Sequence, residues 1–99
     1  PNELVLVDAE IVNVETAIHF EGVPGASTQV SIDNIVVSNS QRAVYMSNAE
    51  GAVLYSIQSK KSKAGYDSQM LFENGDGLLL RNCSFYGTNK SDSAISLVD

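Results

Sequence analysis

The chain has 99 residues, of which 43% are apolar, so it can form at most one domain with a small hydrophobic core. Its formal net charge of −6 and its pI of about 4.5 argue against nucleic acid or an anionic membrane surface as a partner. No apolar run approaches the roughly 18 residues that a membrane-spanning helix requires. The single cysteine, Cys83, cannot form a disulfide within the chain.

A pattern of short strands repeats along the sequence. It is clearest in the second repeat, where three segments alternate apolar with polar residues, at 30–32, 35–37 and 44–46, and Asn34 separates the first two. Such alternation places one set of side chains inside and the other outside. Three strands and three turns make one coil of a β-helix, and the coils lie near residues 4–29, 30–51, 52–77 and 78–99.

Equivalent apolar residues of the four repeats are expected to stack in columns, because parallel strands of successive coils lie about 4.8 Å apart. Every member of the two clearest columns is apolar, and the spacing is about 26 residues: Ile18, Val44, Met70 and Ile95, and Phe20, Met46, Phe72 and Leu97. The sequence therefore predicts an all-β fold, a parallel β-helix of about four coils with three short strands each, and residues 1–99 form a single segment of it.

A polar column separates the first two strands of each coil and consists of Asp8, Asn34, Ser56 and Asn82. Short polar side chains that bond backbone groups suit a tight, left-handed bend, and stacked asparagines can also bond each other from coil to coil. We expect the Asn82 side chain to point inward. The alternative is a β-sandwich with isolated turn residues, which the number of strands alone would allow. The regular columns count against it.

The segments VSIDNIVV and AVYM, and LLLRNCSF and AISL, resemble the right-handed parallel β-helix proteins of the pectin-lyase-like superfamily. The resemblance covers nearly the whole chain. It implies that the polar column marks the short turn of each coil and that a groove for saccharide chains runs along one sheet. That sheet would contain the strands around Ile18, Val44, Met70 and Ile95.

The outward positions of the groove sheet are candidates for contact with a saccharide. They are Ala17, His19 and Glu21; Ala43, Tyr45 and Ser47; Gln69, Leu71 and Glu73; and Ala94, Ser96 and Val98. Tyr45 beside His19 could stack on a sugar ring and bond its hydroxyls. The alternative is that both side chains only cover the surface of the sheet.

Candidate catalytic residues are Glu21, Glu73 and Asp92. Glu21 and Glu73 face the same way two coils apart, so we expect a separation of about 10 Å, at the edge of the 6.5–9.5 Å range typical of inverting glycosidases. No carboxylate is expected to orient His19 as a general base. The clustered aspartates with Gly-His-Gly of polygalacturonases and the Trp-x-x-Asp-His pattern of pectate lyases are absent. We therefore do not expect this chain alone to be an enzyme.

Residues 73–77, with the sequence ENGDG, match neither an EF-hand nor the calcium-binding β-roll repeat. They are interpreted as a turn in which Gly75 and Gly77 have positive φ. No metal or cofactor is predicted.

Five of the six basic residues fall in the turns that precede the groove strands: Arg42, Lys60, Lys61, Lys63 and Lys90. Of these we take Arg42, Lys60, Lys61 and Lys90 as candidate ligand-binding residues, together with His19 and Tyr45. A basic rim beside a groove could hold an anionic polysaccharide. The alternative is that residues 59–68 are simply a mobile polar loop.

Neither end of the sequence contains a capping helix, so we expect a piece of a longer β-helix or a chain whose ends are covered by other copies. The favoured function is a binding or structural module that contacts a polysaccharide, in a tailspike-like or adhesin-like protein that is extracellular or on a virion or cell surface. The alternative is a fragment of a polysaccharide lyase or glycoside hydrolase. Both functions are inferred from the fold and from the patch formed by Tyr45 and His19.

Overall fold

The computed structural model of the chain describes residues 2–25, 28–60, 68–85 and 93–98. These residues form nine β-strands and no helix. In chain order the strands are β1 (Asn2–Val12), β2 (Thr16–Glu21), β3 (Thr28–Ser38), β4 (Arg42–Ser47), β5 (Val53–Lys60), β6 (Ser68–Glu73), β7 (Leu79–Arg81), β8 (Ser84–Phe85) and β9 (Ser93–Val98).

The strands form two sheets in which all pairings are parallel. In the first sheet β1 pairs with β3 and β3 with β5, and both β7 and β8 pair with β5. The second sheet, with the order β2-β4-β6-β9, is called the groove sheet below. Because the chain alternates between the sheets and returns to each one row further on, it forms a β-solenoid of about three turns with four rows of strands. The predicted all-β, parallel, stacked fold is confirmed.

The predicted apolar columns of the groove sheet are confirmed by its register. Ile18 pairs with Val44, Val44 with Met70, and Met70 with Ile95. The neighbouring column, Phe20, Met46, Phe72 and Leu97, pairs in the same way. In the two middle rows all four residues of these columns are at most 5% exposed. Stacked inward residues of successive rows therefore form the core, as the period-two alternation requires.

The polar column is confirmed as a left-handed bend, since Asp8, Asn34, Ser56 and Asn82 have φ values of 54–59°. In the first three rows the bend does not interrupt the strand, so two of the predicted strands merge into one. Asn34 Nδ2 donates to Asp8 Oδ1 at 2.8 Å, and Asn82 Nδ2 donates to Ser56 Oγ at 3.0 Å. These bonds link neighbouring rows through side chains.

The prediction that Asn82 points inward is wrong, because its side chain is exposed, as are those of Asp8 and Asn34. The left-handed residue shifts the alternation by one position, so two consecutive residues face outward. In β3 these are Asp33 and Asn34, and the flanking Ile32 and Ile35 are both fully buried. The bend thus keeps apolar residues on the interior of both halves of the strand.

Other left-handed positions recur from row to row, and of these only Gly77 was predicted from the sequence. They are Asn13 with Asn39, Asn48 with Asn74, and Gly25 with Gly51 and Gly77. Asn39 Nδ2 donates to Asn13 Oδ1, so this pair repeats the side-chain link between rows. The predicted positive φ is confirmed for Gly77 but wrong for Gly75, because Asn74 takes the left-handed conformation instead. Asparagine tolerates that conformation through local side-chain hydrogen bonds.

Inward-facing residues of the outermost rows are more exposed than their partners in the middle rows. Leu97 is 70% exposed, whereas Phe72, its partner one row earlier, is 5% exposed. A depression of about 320 Å³ opens between these two side chains. At the other end of the stack Leu4 is 40% exposed, and its partner Val30 is fully buried.

Candidate functional site

The predicted exposed column of the groove sheet is present as four residues in register. His19 pairs with Tyr45, Tyr45 with Leu71, and Leu71 with Ser96. Each lies in the middle of a parallel strand, between two inward-facing residues, so the alternation along the strand fixes the direction in which it points. The residues that flank Tyr45 and Leu71 are at most 5% exposed, so the core is best packed beneath these two members of the column.

His19 and Tyr45 form an aromatic pair at the first two rows of this column. Their ring centroids are 4.8 Å apart and the ring planes are inclined by 65°, which is an edge-to-face arrangement. The two rings line one side of a shallow depression of about 240 Å³. The remaining lining residues are Glu15, Thr16, Glu21 and Arg42. The structure thus brings together three of the predicted ligand-binding residues and one predicted catalytic residue.

Glu21 orients His19, contrary to the sequence-based expectation that no carboxylate would do so. His19 Nε2 lies 2.9 Å from Glu21 Oε1, and because an ionised carboxylate only accepts, the imidazole nitrogen donates. The two residues are two positions apart on β2, and residues at that spacing point to the same side of a strand. The two-residue spacing of His19 and Glu21 on one strand is the sequence signal for this contact.

Glu73 lies beside Tyr45 on the groove sheet and raises the pKa of its phenol. The pKa of Tyr45 is raised, chiefly because the hydroxyl donates a hydrogen bond to the Glu73 carboxylate, with further contributions from desolvation and from the charges of Glu73 and Glu21. A hydrogen bond with Ser47 acts in the opposite direction. Ser47 pairs with Glu21 on one side and with Glu73 on the other, so the two carboxylates lie two rows apart as predicted.

Arg42 is the predicted basic residue that the structure places at this site. Its backbone N donates to Glu15 O at 2.9 Å, and its Nε donates to Ser68 O at 3.1 Å, so the guanidinium is anchored across the row. Lys60 is exposed at the end of β5, in the other sheet, and does not line the depression. The other predicted site residues, Lys61, Lys90 and Asp92, lie outside the described residues.

Two of the predicted outward positions do not contribute exposed surface. Ala43 is fully buried and Gln69 is 1% exposed. Ser59 Oγ donates to Gln69 Oε1 at 2.9 Å, and Gln69 Nε2 donates to Gln41 O at 3.4 Å. The Gln69 side chain therefore bonds groups next to the turn between the sheets instead of facing solvent. In the two middle rows the accessible face is therefore formed by the column that contains Tyr45 and Leu71 and by the column that contains Ser47 and Glu73.

The chemistry available on this face consists of an aromatic surface, an apolar neighbour and several hydrogen-bonding groups. Tyr45 and the half-buried Leu71 adjoin in the column, while Glu21 and Glu73 offer carboxylate oxygens on the same side. A sugar ring presents apolar C–H groups on one face and hydroxyls around its edge, so such a surface suits it.

Neither a cluster of metal-ligating side chains nor a membrane-spanning helix is found among the described residues. Among them no group of three or more His, Cys, Asp and Glu side chains could hold a metal ion. In the same ranges no helix is long and apolar enough to cross a bilayer. The chain matches no protein-family model, and no curated protein matches it.

Proposed function

We propose that the chain contacts a polysaccharide through the exposed face of the groove sheet, as part of a larger surface, secreted or virion-associated protein. The observation that carries this proposal is the edge-to-face pair of His19 and Tyr45. The carboxylate of Glu21 lies beside the imidazole, and that of Glu73 lies beside the phenol hydroxyl. The two rings adjoin on neighbouring strands, and carboxylate oxygens lie beside them, so a ligand could contact aromatic and hydrogen-bonding groups together. A pectin-lyase-like, right-handed β-helix of a tailspike or adhesin is the type of protein that we propose, located outside the cell or on a virion.

The test of this proposal is binding to a glycan array by the wild-type chain and by tyrosine variants. Tyr45→Ala removes the aromatic surface and should abolish binding, whereas Tyr45→Phe keeps the ring and should retain most of it. Tyr55→Ala is the matched control, because Tyr55 is a half-buried tyrosine on the other sheet, in register with Asp33 and Arg81. Binding that survives Tyr45→Ala, or that Tyr55→Ala abolishes equally, would contradict the proposal.

We further propose that additional rows of β-helix, from a longer chain or from other copies, cover the outermost rows. The exposed inward-facing residues Leu4, Ile95 and Leu97 support this, since a solenoid buries its core only by stacking. Light scattering over a range of concentrations would detect association between copies. A chain that stays monomeric throughout would rule out covering by other copies.

The alternative function, a fragment of a polysaccharide lyase or glycoside hydrolase, is supported by one observation. The 2.9 Å contact between His19 and Glu21 is the type of pairing that orients a general acid or base. A reducing-sugar assay on the glycans that bind would test it. Release that is lost on replacing Glu21, Glu73 and Asp92 by glutamine or asparagine would favour the enzyme, and binding without release would favour the module.

A further inference from the structure

The charges of the described residues around the aromatic pair are mostly negative. Three carboxylates, those of Glu15, Glu21 and Glu73, lie near Tyr45 or in the adjoining depression. Among the described residues Arg42 is the one cation that lines the depression. Among the described residues, negative groups therefore outnumber positive ones at this face, and they repel an anionic ligand.

The arginine also has a structural position that limits its use as an anion-binding group. Its Nε donates to the carbonyl of Ser68 in the next row, and Glu15 lies in the same depression. An anion that approached the guanidinium would therefore also approach the Glu15 carboxylate. Arginine binds carboxylates and sulfates most strongly through two parallel hydrogen bonds, which require two accessible N–H groups on one edge of the guanidinium.

The carboxylates of Glu21 and Glu73 can still accept hydrogen bonds from a ligand. An ionised carboxylate has about four lone-pair sites, and the bond from His19 Nε2 occupies one of those on Glu21. The Glu21 side chain is 67% exposed, so solvent or a ligand reaches the others. Glu73 is half-buried, and its carboxylate accepts a hydrogen bond from the Tyr45 hydroxyl. Both groups accept hydrogen bonds and neither donates, so they select for ligands rich in hydroxyl donors.

We infer that the saccharide bound at His19 and Tyr45 is uncharged at the point of contact, carrying hydroxyls but neither carboxylate nor sulfate groups. The inference rests on the proposed function and names the ligand class for the same site. Sugar hydroxyls donate to Glu21 and Glu73, while the ring packs on Tyr45 and Leu71. This ligand differs from the anionic polysaccharide that a basic rim would hold.

The experiment compares pairs of oligosaccharides of the same linkage and length, one member built of uronic acids and the other its carboxyl-reduced, neutral counterpart. Affinities are measured by calorimetry for the wild-type chain and for Glu21→Gln and Glu73→Gln. Each variant keeps the shape of the side chain and removes one negative charge. Glu10→Gln is the matched control, because Glu10 is exposed on β1 in the other sheet and its replacement changes the net charge equally.

The sign of the effect distinguishes the ligand classes. For a neutral ligand each site variant weakens a charge-assisted hydrogen bond and should lower affinity by up to about tenfold. For an anionic ligand the same variant removes a like charge about 4 Å away and should raise affinity by about fivefold. Glu10→Gln should change neither affinity measurably.

Tighter binding of the neutral member, lowered by both site variants, would support the inference. Tighter binding of the uronic-acid member, raised by those variants, would overturn it and leave the proposed polysaccharide contact standing. If neither member of any pair binds, the proposed function itself fails, and this inference fails with it.

Discussion

Replacing Asn34 by alanine tests the polar column at its best-defined link between rows. Asn34 has a φ of 59°, and its Nδ2 donates to Asp8 Oδ1 at 2.8 Å. Alanine removes this hydrogen bond, whose net contribution is about 1 kcal/mol, and leaves a methyl side chain in the left-handed region, which costs about 1 kcal/mol more. Because the two effects act on separate parts of the residue, we expect the free energy of unfolding to fall by about 2 kcal/mol.

A glycine variant separates the two effects. Asn34→Gly also lacks the hydrogen bond but adopts positive φ without a steric cost, so its destabilisation should be about 1 kcal/mol smaller than that of Asn34→Ala. Asp33→Ala is the control, because Asp33 is the exposed neighbour without a positive φ, and its effect should stay within about 0.5 kcal/mol. Urea unfolding followed by circular dichroism gives these values. Equal effects of alanine and glycine at position 34 would refute the conformational argument.

Two further predictions concern Tyr45 and Gly22. The Tyr45 phenol should have a pKa above its ordinary value of about 10, and Glu73→Gln should lower that pKa. Tyrosinate absorbance, taken relative to the matching Tyr45→Phe protein, measures both values. A pKa that does not respond to Glu73→Gln would show that the hydrogen bond between the two side chains is not formed. In Gly22→Ala the new Cβ would clash with the backbone oxygen of Asn48, so the rows must shift and stability should fall by about 1–3 kcal/mol. Gly25→Ala, which places its Cβ in open space at a φ of 83°, should cost less, about 1 kcal/mol, in the same urea unfolding assay; a smaller effect at position 22 than at position 25 would contradict the steric argument.

Sequence periodicity was sufficient to predict the stacking of this fold. Ile18, Val44 and Met70 could be aligned because an inward position accepts only apolar residues and the strand register keeps equivalent positions together. The sequence did not correctly predict that the side chains of the polar column point outward. Alternation by itself does not show that a left-handed residue shifts the order of inward and outward side chains by one residue. Burial of both Ile32 and Ile35 makes that shift visible.

The candidate site was predictable only where it follows from strand geometry. The column of His19 and Tyr45 follows directly from register, and the contact between His19 and Glu21 follows from their spacing on one strand. The burial of Gln69 does not follow, because it depends on how the side chain bonds Ser59 across the turn between the two sheets. Contacts made through turns depend on turn length and conformation, which alternating patterns do not specify.

The spacing between equivalent residues shows that turn lengths vary without disturbing the rows. Ile32 pairs with Leu54, a step of 22 residues, whereas Val44 pairs with Met70, a step of 26 residues. Counted between paired residues, the step from β4 to β5 is four residues shorter than the step from β2 to β3, because Val53 follows Ser47 by six residues and Ser31 follows Glu21 by ten. The step from β5 to β6 is longer by the same amount than the step from β3 to β4, because Ser68 follows Lys60 by eight residues and Arg42 follows Ser38 by four. Each turn is thus an independent site for insertion or deletion. Loops at the edge of the proposed binding face can therefore diversify, or be replaced by design, while the columns that position Tyr45 remain unchanged.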